Sequence, residues 1–378
     1  MKNIAILSDL YPTIRSGMSD YIYNYTNLLA NKNYNISFFT QTNFKIADSH
    51  KNINFKQIID KNPLSILKTL YYLKKNNNID FVHLEFPSSK NNLMIHLMLI
   101  TLLSLIILRK KIILRLHEYS ERPKLKKIVI ILMGFVATHI ITNNYVDLKN
   151  LSKLGLIGNI FSKKISFIPI GSNIKRHKFT SESLNKLRDS FSNLFLVGFF
   201  GDIYLSHEQK GGVLLIEIIK ILINDYHLSN ILFIIIGGNH KIKDYFYKKL
   251  GIYSKYIYFT GYLSEKDVSK YLQVCDIMIA PFKNGFIFNR GSLLASIVHN
   301  KCILTTFNKE ENYSNDLKKS IIFFEKSDPS IFAKKINYLI QNKGIIKKYE
   351  NKISSMENIF SWERIVNQFD VFYNKICY

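Results

Sequence analysis

Acidic residues are scarce in this chain. Its 28 Asp and Glu stand against 52 Lys and Arg, a formal charge of +24, and a summed charge of that size governs association, here with something anionic, more than it governs fold. Cysteine is rarer still. Cys275, Cys302 and Cys377 are too few and too scattered for a disulfide framework or a Cys-rich metal site, and they suit a reducing compartment, so a cytoplasmic location is expected. Near the amino terminus only Ile4 to Leu7 are apolar before Ser8-Asp9, too short a run for a signal peptide. The longest apolar stretch, Leu93 to Leu108, contains His96, Thr101 and Ser104 and ends at Arg109-Lys110-Lys111. A membrane span needs ~20 residues, so this stretch reads as a buried helix. Solenoid repeats, low-complexity segments, and His-x-Glu or Cys-x-x-Cys zinc patterns are all missing, and no metal is expected.

What is present is apolar and aromatic. Hydrophobic residues make up 47% and charged residues 21%, with 27 Phe and 23 Tyr, which excludes general disorder. The 378 residues exceed the ~250–300 at which one core stops growing, so two domains are expected. Charge divides unevenly between them: residues 1–180 hold 26 Lys and Arg against 9 Asp and Glu, net +17, leaving +7 beyond. A basic flank (Arg122, Lys124, Lys126, Lys127) ahead of the apolar run Ile128–Thr142 suits a surface lying on anionic lipid. A compositional bias toward Lys and Asn is the alternative. The basic residues match no RNA- or DNA-reading motif, so no nucleic-acid partner is expected.

Short β-branched runs alternate with stretches of helical period, the pattern of βαβ units and parallel sheets. In the first half the spacing predicts strands at Ile4–Leu7, Ile36–Phe39, Phe81–Leu84, Ile112–Leu116, His139–Ile141 and Ile165–Ile168, with a first helix starting near Ser19-Asp20. A second series follows at Leu194–Phe200, Ile231–Ile236, Tyr256–Thr260, Ile277–Ala280, Ile303–Thr305 and Ile321–Phe324. The periodicity breaks near Gly171–Thr180. A closing helix carries the single tryptophan, Trp362, with Ile365, Phe369 and Phe372 at helical spacing. The expected division is 1–174 together with 360–378, and 175–359. Open α/β sheets bind ligands at the carboxyl ends of their strands, so the loops after strands are where function belongs.

Several of those loops carry a resemblance. Ile4 to Pro12 followed by Ser16-Gly17, Asp80-Phe81-Val82-His83, Leu116-His117-Glu118 and Ile168-Pro169-Ile170-Gly171 come in one order. They are followed by Val197 to Gly201 with Lys210-Gly211, Ile236-Gly237-Gly238, Phe259-Thr260-Gly261-Tyr262-Leu263, Cys275-Asp276 with Pro281-Phe282, and Phe360-Ser361-Trp362-Glu363. In order and spacing these segments, spread over nearly the whole chain, resemble glycosyltransferase family 4, the group 1 glycosyltransferases. After Pro281 most members carry Glu-x7-Glu. This chain has Ile287 and Ala295 there, and Arg290-Gly291-Ser292-Leu293-Leu294 resembles a branch with Arg-Arg-Gly-Ser-Leu-Leu.

The resemblance implies the GT-B fold, two Rossmann-like α/β domains facing across a cleft, with the last helix crossing back to the first domain. It also implies a retaining, metal-independent transferase that uses a UDP- or GDP-linked sugar as donor and needs no cofactor. The acceptor class it suggests is lipid-linked or surface polysaccharide, on the inner face of the cytoplasmic membrane. Without a metal, the leaving diphosphate must be met by cations and backbone N–H groups. Lys210 and Arg290 are the candidate cations. Ser16, Gly17, Gly201, Gly211, Gly238, Gly261, Tyr262, Leu263, Gly291 and Ser292 are the candidate donor-binding residues, the glycines because they let the backbone approach phosphate closely. His117, directly after a strand, is the candidate beside the transferred sugar, with Glu118, Glu85 and His83 as weaker candidates. Two plainer readings stay open: Lys210 as a solvated loop lysine with His117 as a satisfied strand-end histidine, and a catalytically silent nucleotide-binding homologue acting as a partner subunit, motivated by the absent acidic pair and by Asp202.

Overall fold

A computed structural model describes residues 2–8, 17–42, 50–60, 62–76, 78–86, 99–100, 102–103, 108–191, 193–201 and 211–377. Ser16, Lys210, Asp202, the Tyr11-Pro12 loop and most of the 93–108 stretch lie outside them. The chain divides into two compact units, Met1–Asn173 with Trp362–Tyr378, and Ile174–Ser361.

The first unit holds seven parallel strands: β1 (Lys2–Leu7), β2 (Tyr34–Gln41), β3 (Ile53–Ile59), β4 (Phe81–Phe86), β5 (Lys111–Leu116), β6 (His139–Thr142) and β7 (Ile165–Phe167), in the order β3-β2-β1-β4-β5-β6-β7. The second holds β8 (Phe195–Phe200), β9 (Ile231–Ile236), β10 (Ile257–Gly261), β11 (Ile277–Ala280), β12 (Ile303–Thr306) and β13 (Ile322–Phe324), ordered β10-β9-β8-β11-β12-β13 and again parallel. In both sheets the chain winds outward over three strands, returns to the middle and winds the other way. The switch points therefore lie between β1 and β4 and between β8 and β11.

Two local expectations are corrected. Edge strand β3 went unpredicted because Asn54 is exposed and Phe55, Lys56 and Gln57 are only half-buried, so the two-residue alternation is blurred. The first helix runs Gly17–Asn31, and Ser19 is buried inside it rather than capping it.

Register explains how the first sheet sorts its residues. His83 pairs with Ile6 and Ile113, and Glu85 with Arg115, so by the alternation of strand side chains these share one face while Ala5, Leu7, Val82, Leu84, Ile112 and Leu114 share the other. The second face is an apolar core completed by Phe39, Leu73, Ile130 and Phe161. The first is covered by Tyr21 and Tyr25 of the first helix and by the helix Trp362–Cys377, whose Trp362, Ile365, Phe369 and Tyr373 are all buried. Tyr373 goes deeper than the predicted Phe372. The core of the second unit gathers Val197, Phe199, Phe233, Ile235, Ile277 and Leu304 under the helices Gly212–Asn224 and Pro329–Gln341.

At Gly171 the backbone touches the indole: a Cβ there would stand 2.6 Å from Trp362 Cδ2. Gly171→Ala is expected to destabilise the protein by about 1–3 kcal/mol through overpacking. Trp362→Phe should relieve part of that, so that the double variant loses less than the sum of the singles in denaturant titrations.

Candidate functional site

The polar face of the first sheet is organised by one carboxylate. Glu85 is fully buried in β4, with His117 Nε2 2.6 Å from its Oε2 and His83 Nε2 3.1 Å from its Oε1. The first is a hydrogen bond and the second a close polar contact outside hydrogen-bond geometry. Burial by itself would raise the carboxyl pKa. Donation from His117 and the contact with His83 more than offset this, and the group is held well below the usual carboxylate range. His83, wholly buried, is shifted down chiefly by burial, and its Nδ1 lies 2.7 Å from Tyr373 Oη and 3.3 Å from Tyr25 Oη. The two tyrosine hydroxyls also bond each other.

His117 has both ring nitrogens engaged. Asn144 Nδ2 donates to Asn143 Oδ1 at 2.9 Å, which turns Asn143 Nδ2 toward His117 Nδ1 at 3.2 Å and leaves Nε2 as the protonated nitrogen facing Glu85. Asp147 fixes the loop that follows: its carboxylate accepts from Tyr119 N at 2.9 Å and Ser120 N at 2.7 Å. Glu118, at φ +56°, turns aside to pair with Arg122. Arg115, also wholly buried, donates to Ile168 O at 3.2 Å, and its guanidinium carbon lies 4.7 Å from the ring centres of both Tyr21 and Phe369. This is a cation held between two aromatic faces. Two histidines thus meet Glu85, yet no group of three His, Cys, Asp or Glu among the described residues could hold a metal ion.

The second unit builds a different kind of site at its switch point. Gly201 directly follows β8 at φ +133°, a conformation that side chains rarely adopt, and a Cβ there would stand 3.4 Å from Ser292 Cβ. Gly211, at φ +76°, precedes the helix Gly212–Asn224, and its would-be Cβ falls 2.3 Å from Pro281 O just past β11. Arg290 precedes the helix Gly291–Val298 and places its guanidinium carbon 5.5 Å from the Phe282 ring centre. Neither helix start has a side-chain cap, so the first N–H groups of both keep no intrahelical acceptor. Gly291 has open space where a Cβ would be.

On the adjoining strands Gly237 bridges to Gly261, Gly238 stands at φ +86°, and Tyr262 is 53% exposed beside the half-buried Leu263. Gly17 opens the first helix of the other unit, its carbonyl accepting from Asn173 Nδ2 at 2.9 Å. The second unit therefore brings together Gly201, Gly211, Arg290, Gly291 and Ser292, with Gly238, Gly261, Tyr262 and Leu263 at or just past the ends of the strands beside them. His117 and Gly17 belong to the first unit. Ile287 and Ala295 are buried.

Sequence reasoning missed Arg115 and His299. A charged residue inside Ile112–Leu116 was the available signal for the first. His299 had none nearby: it accepts from Ser269 Oγ at Nε2 (2.8 Å) and donates from Nδ1 to Ala295 O (2.7 Å), closing the helix that Arg290 opens.

Residues 195–342 match the family of group 1 glycosyl transferases. No curated protein matches the chain by sequence. Similar solved structures include HepE from Anabaena in complex with UDP and glucose, with a TM-score of 0.75 and 13% identity over 99% of this chain and 100% of that one. Sucrose-phosphate synthase from Thermosynechococcus elongatus has a TM-score of 0.72 and 11% identity over 100% and 99%. WaaG, a glycosyltransferase involved in lipopolysaccharide biosynthesis, has 0.66 and 12% over 97% and 98%. At such identities the likeness carries the fold, which is GT-B. With a group 1 domain inside that fold, the chain is a glycosyltransferase.

Burial pushes His299 down to about 4 from 6.5. The unfolded chain thus takes up this proton first, and stability is predicted to fall as pH drops from about 6.5 to about 4, by about 3 kcal/mol from this group. Urea titrations across that window should show a shallower loss in His299→Gln than in the parent.

Proposed function

We propose that the protein transfers a sugar from a UDP- or GDP-linked donor to a lipid-linked or surface-polysaccharide acceptor, with retention of configuration and without a metal. The observation that carries this reading is the convergence of Gly201, Gly211, Arg290, Gly291 and Ser292 at the switch point of the second sheet. A leaving diphosphate develops negative charge, and two uncapped helix N-termini with a guanidinium supply N–H donors and positive potential of the matching sign. Lys210, by its place in the sequence, is the second cation. A nucleotide-sugar donor is favoured because HepE, similar in fold, has been solved with UDP and glucose and with UDP-glucose. His117, with both nitrogens engaged inside its own unit, would act on the sugar side only after exchanging one of those partners.

A panel of nucleoside diphosphates and their sugars should give one clear thermal stabilisation, ~2.7 kcal/mol at a hundredfold excess over the dissociation constant. Arg290→Ala should then lower turnover by ~100- to 1000-fold with a smaller loss of donor affinity. Arg290→Lys should recover part of it, because an ammonium lacks the two-pronged fork. Binding without transfer or donor hydrolysis would favour the silent homologue, and unchanged turnover in Arg290→Ala would remove Arg290 from the site.

An anionic membrane surface is the proposed setting for the acceptor. On the helix Lys124–Val136, Leu125 (79% exposed), Ile128, Leu132 and Phe135 form one exposed apolar stripe at helical spacing. Lys124, Lys126 and Lys127 flank its start, and Leu156 (84% exposed) and Ile160 add to the exposed apolar surface of the same unit. No helix among the described residues is long and apolar enough to cross a membrane, whereas a basic amphipathic helix lies in the interface. Vesicles with anionic lipid should bind the protein more tightly than neutral ones, in a salt-sensitive way. In sedimentation assays Leu125→Glu/Leu132→Glu is expected to weaken that binding more than tenfold, each leucine contributing ~1.5–3 kcal/mol of burial.

A further inference from the structure

At the edge of the second sheet where the strands begin, away from the glycine-lined edge where they end, the surface sinks into a cavity of about 390 Å³. Phe195, at the start of β8, and Ile346 are among the residues that supply apolar wall, and six of the lining side chains are charged. Four of these form pairs. Arg188 Nη2 donates to Asp276 Oδ2 at 3.1 Å and to Leu194 O at 2.8 Å, and Lys301, its side chain only 9% exposed, sits 3.4 Å from Glu350 Oε1. Each pair cancels its own charge.

What remains is Lys343 and Lys347, one turn apart on the helix Lys343–Ser354. Neither has an acidic partner among the described residues. Both stand in the first turns of a helix that has no side-chain cap, where the dipole already repels cations. A cavity with an excess of two positive charges is complementary to a dianion. Its volume is several times that of one phosphate group, and its apolar wall calls for an organic body.

From this geometry we infer that the cavity is a second ligand site, for a small organic phosphate monoester of the size of a sugar phosphate. Such a ligand places its dianion against Lys343 and Lys347 and its body against Phe195 and Ile346. The inference is independent of the donor-site reading, since no lining residue belongs to that edge.

The test is isothermal titration calorimetry with glucose 6-phosphate, inorganic phosphate and glucose at fixed ionic strength, on the parent, Lys343→Gln/Lys347→Gln and Arg290→Ala. The expected result is saturable binding of glucose 6-phosphate by the parent, at least tenfold weaker in the double lysine variant and unchanged in Arg290→Ala, with inorganic phosphate weaker and glucose silent. Both lysines are exposed, so the double variant should keep its fold, checked by circular dichroism. Absence of saturable binding, equal affinity for inorganic phosphate, or a loss confined to Arg290→Ala would each overturn the proposal.

Discussion

A carboxylate buried away from solvent must be met by donors, and the first unit is arranged around that requirement at Glu85. The groups around it are drawn from separated stretches of chain: His117, at the end of the next strand, donates to it, His83, two residues before it, lies against its other oxygen, and behind them stand Tyr25 of the first helix and Tyr373 of the last. Each of those groups has little choice of position once the carboxylate is ionised. Removing one partner leaves a buried charge unmet, which costs more than an ordinary core truncation. The strand register, the seating of the first helix and the docking of the final helix all serve this single anion, and Arg115, held between Tyr21 and Phe369, keeps the same face from accumulating negative charge.

The two sheets repeat one topology and use it differently. In the second unit the face behind the strands is apolar throughout, and the polar work is moved to the strand ends, where glycines leave backbone exposed and helices start without caps. A polar interior fixes geometry at the cost of adaptability, whereas a glycine edge keeps room for a ligand. Arg290 shows the compromise: its backbone carbonyl receives the N–H groups of Leu293 and Leu294, which anchors the residue while the guanidinium lies over Phe282.

The parts legible in the sequence are those whose signal is local. Runs such as Ile231–Ile236 and Ile277–Ala280 are apolar because both faces are covered, and they are read directly. Glycine at strand ends is equally visible, since few other residues tolerate those angles. Edge strand β3 escaped because its solvent side mixes with its core side. The first helix begins two residues before Ser19-Asp20, a pair that resembles a cap, because Ser19 is packed inside it. The bond of His299 to Ser269 and the pairing of Tyr373 with His83 escaped for a different reason: the partners lie 30 and 290 residues apart, and no window of sequence carries them.

The contact between His83 and Tyr373 joins the fourth strand to the last helix, with the whole second unit lying between them in the chain. During synthesis the first unit emerges without its cover. At a chain growth of ~5–20 residues per second, its seven strands wait roughly ten to forty seconds for Phe369 and Tyr373, with Glu85 and Arg115 beneath a face still open to solvent. The second unit, continuous from Ile174 to Ser361, has no such wait. The half of the protein made first is therefore the half that closes last, and a chain that stalls near its end is left with a finished second unit and an unsealed first.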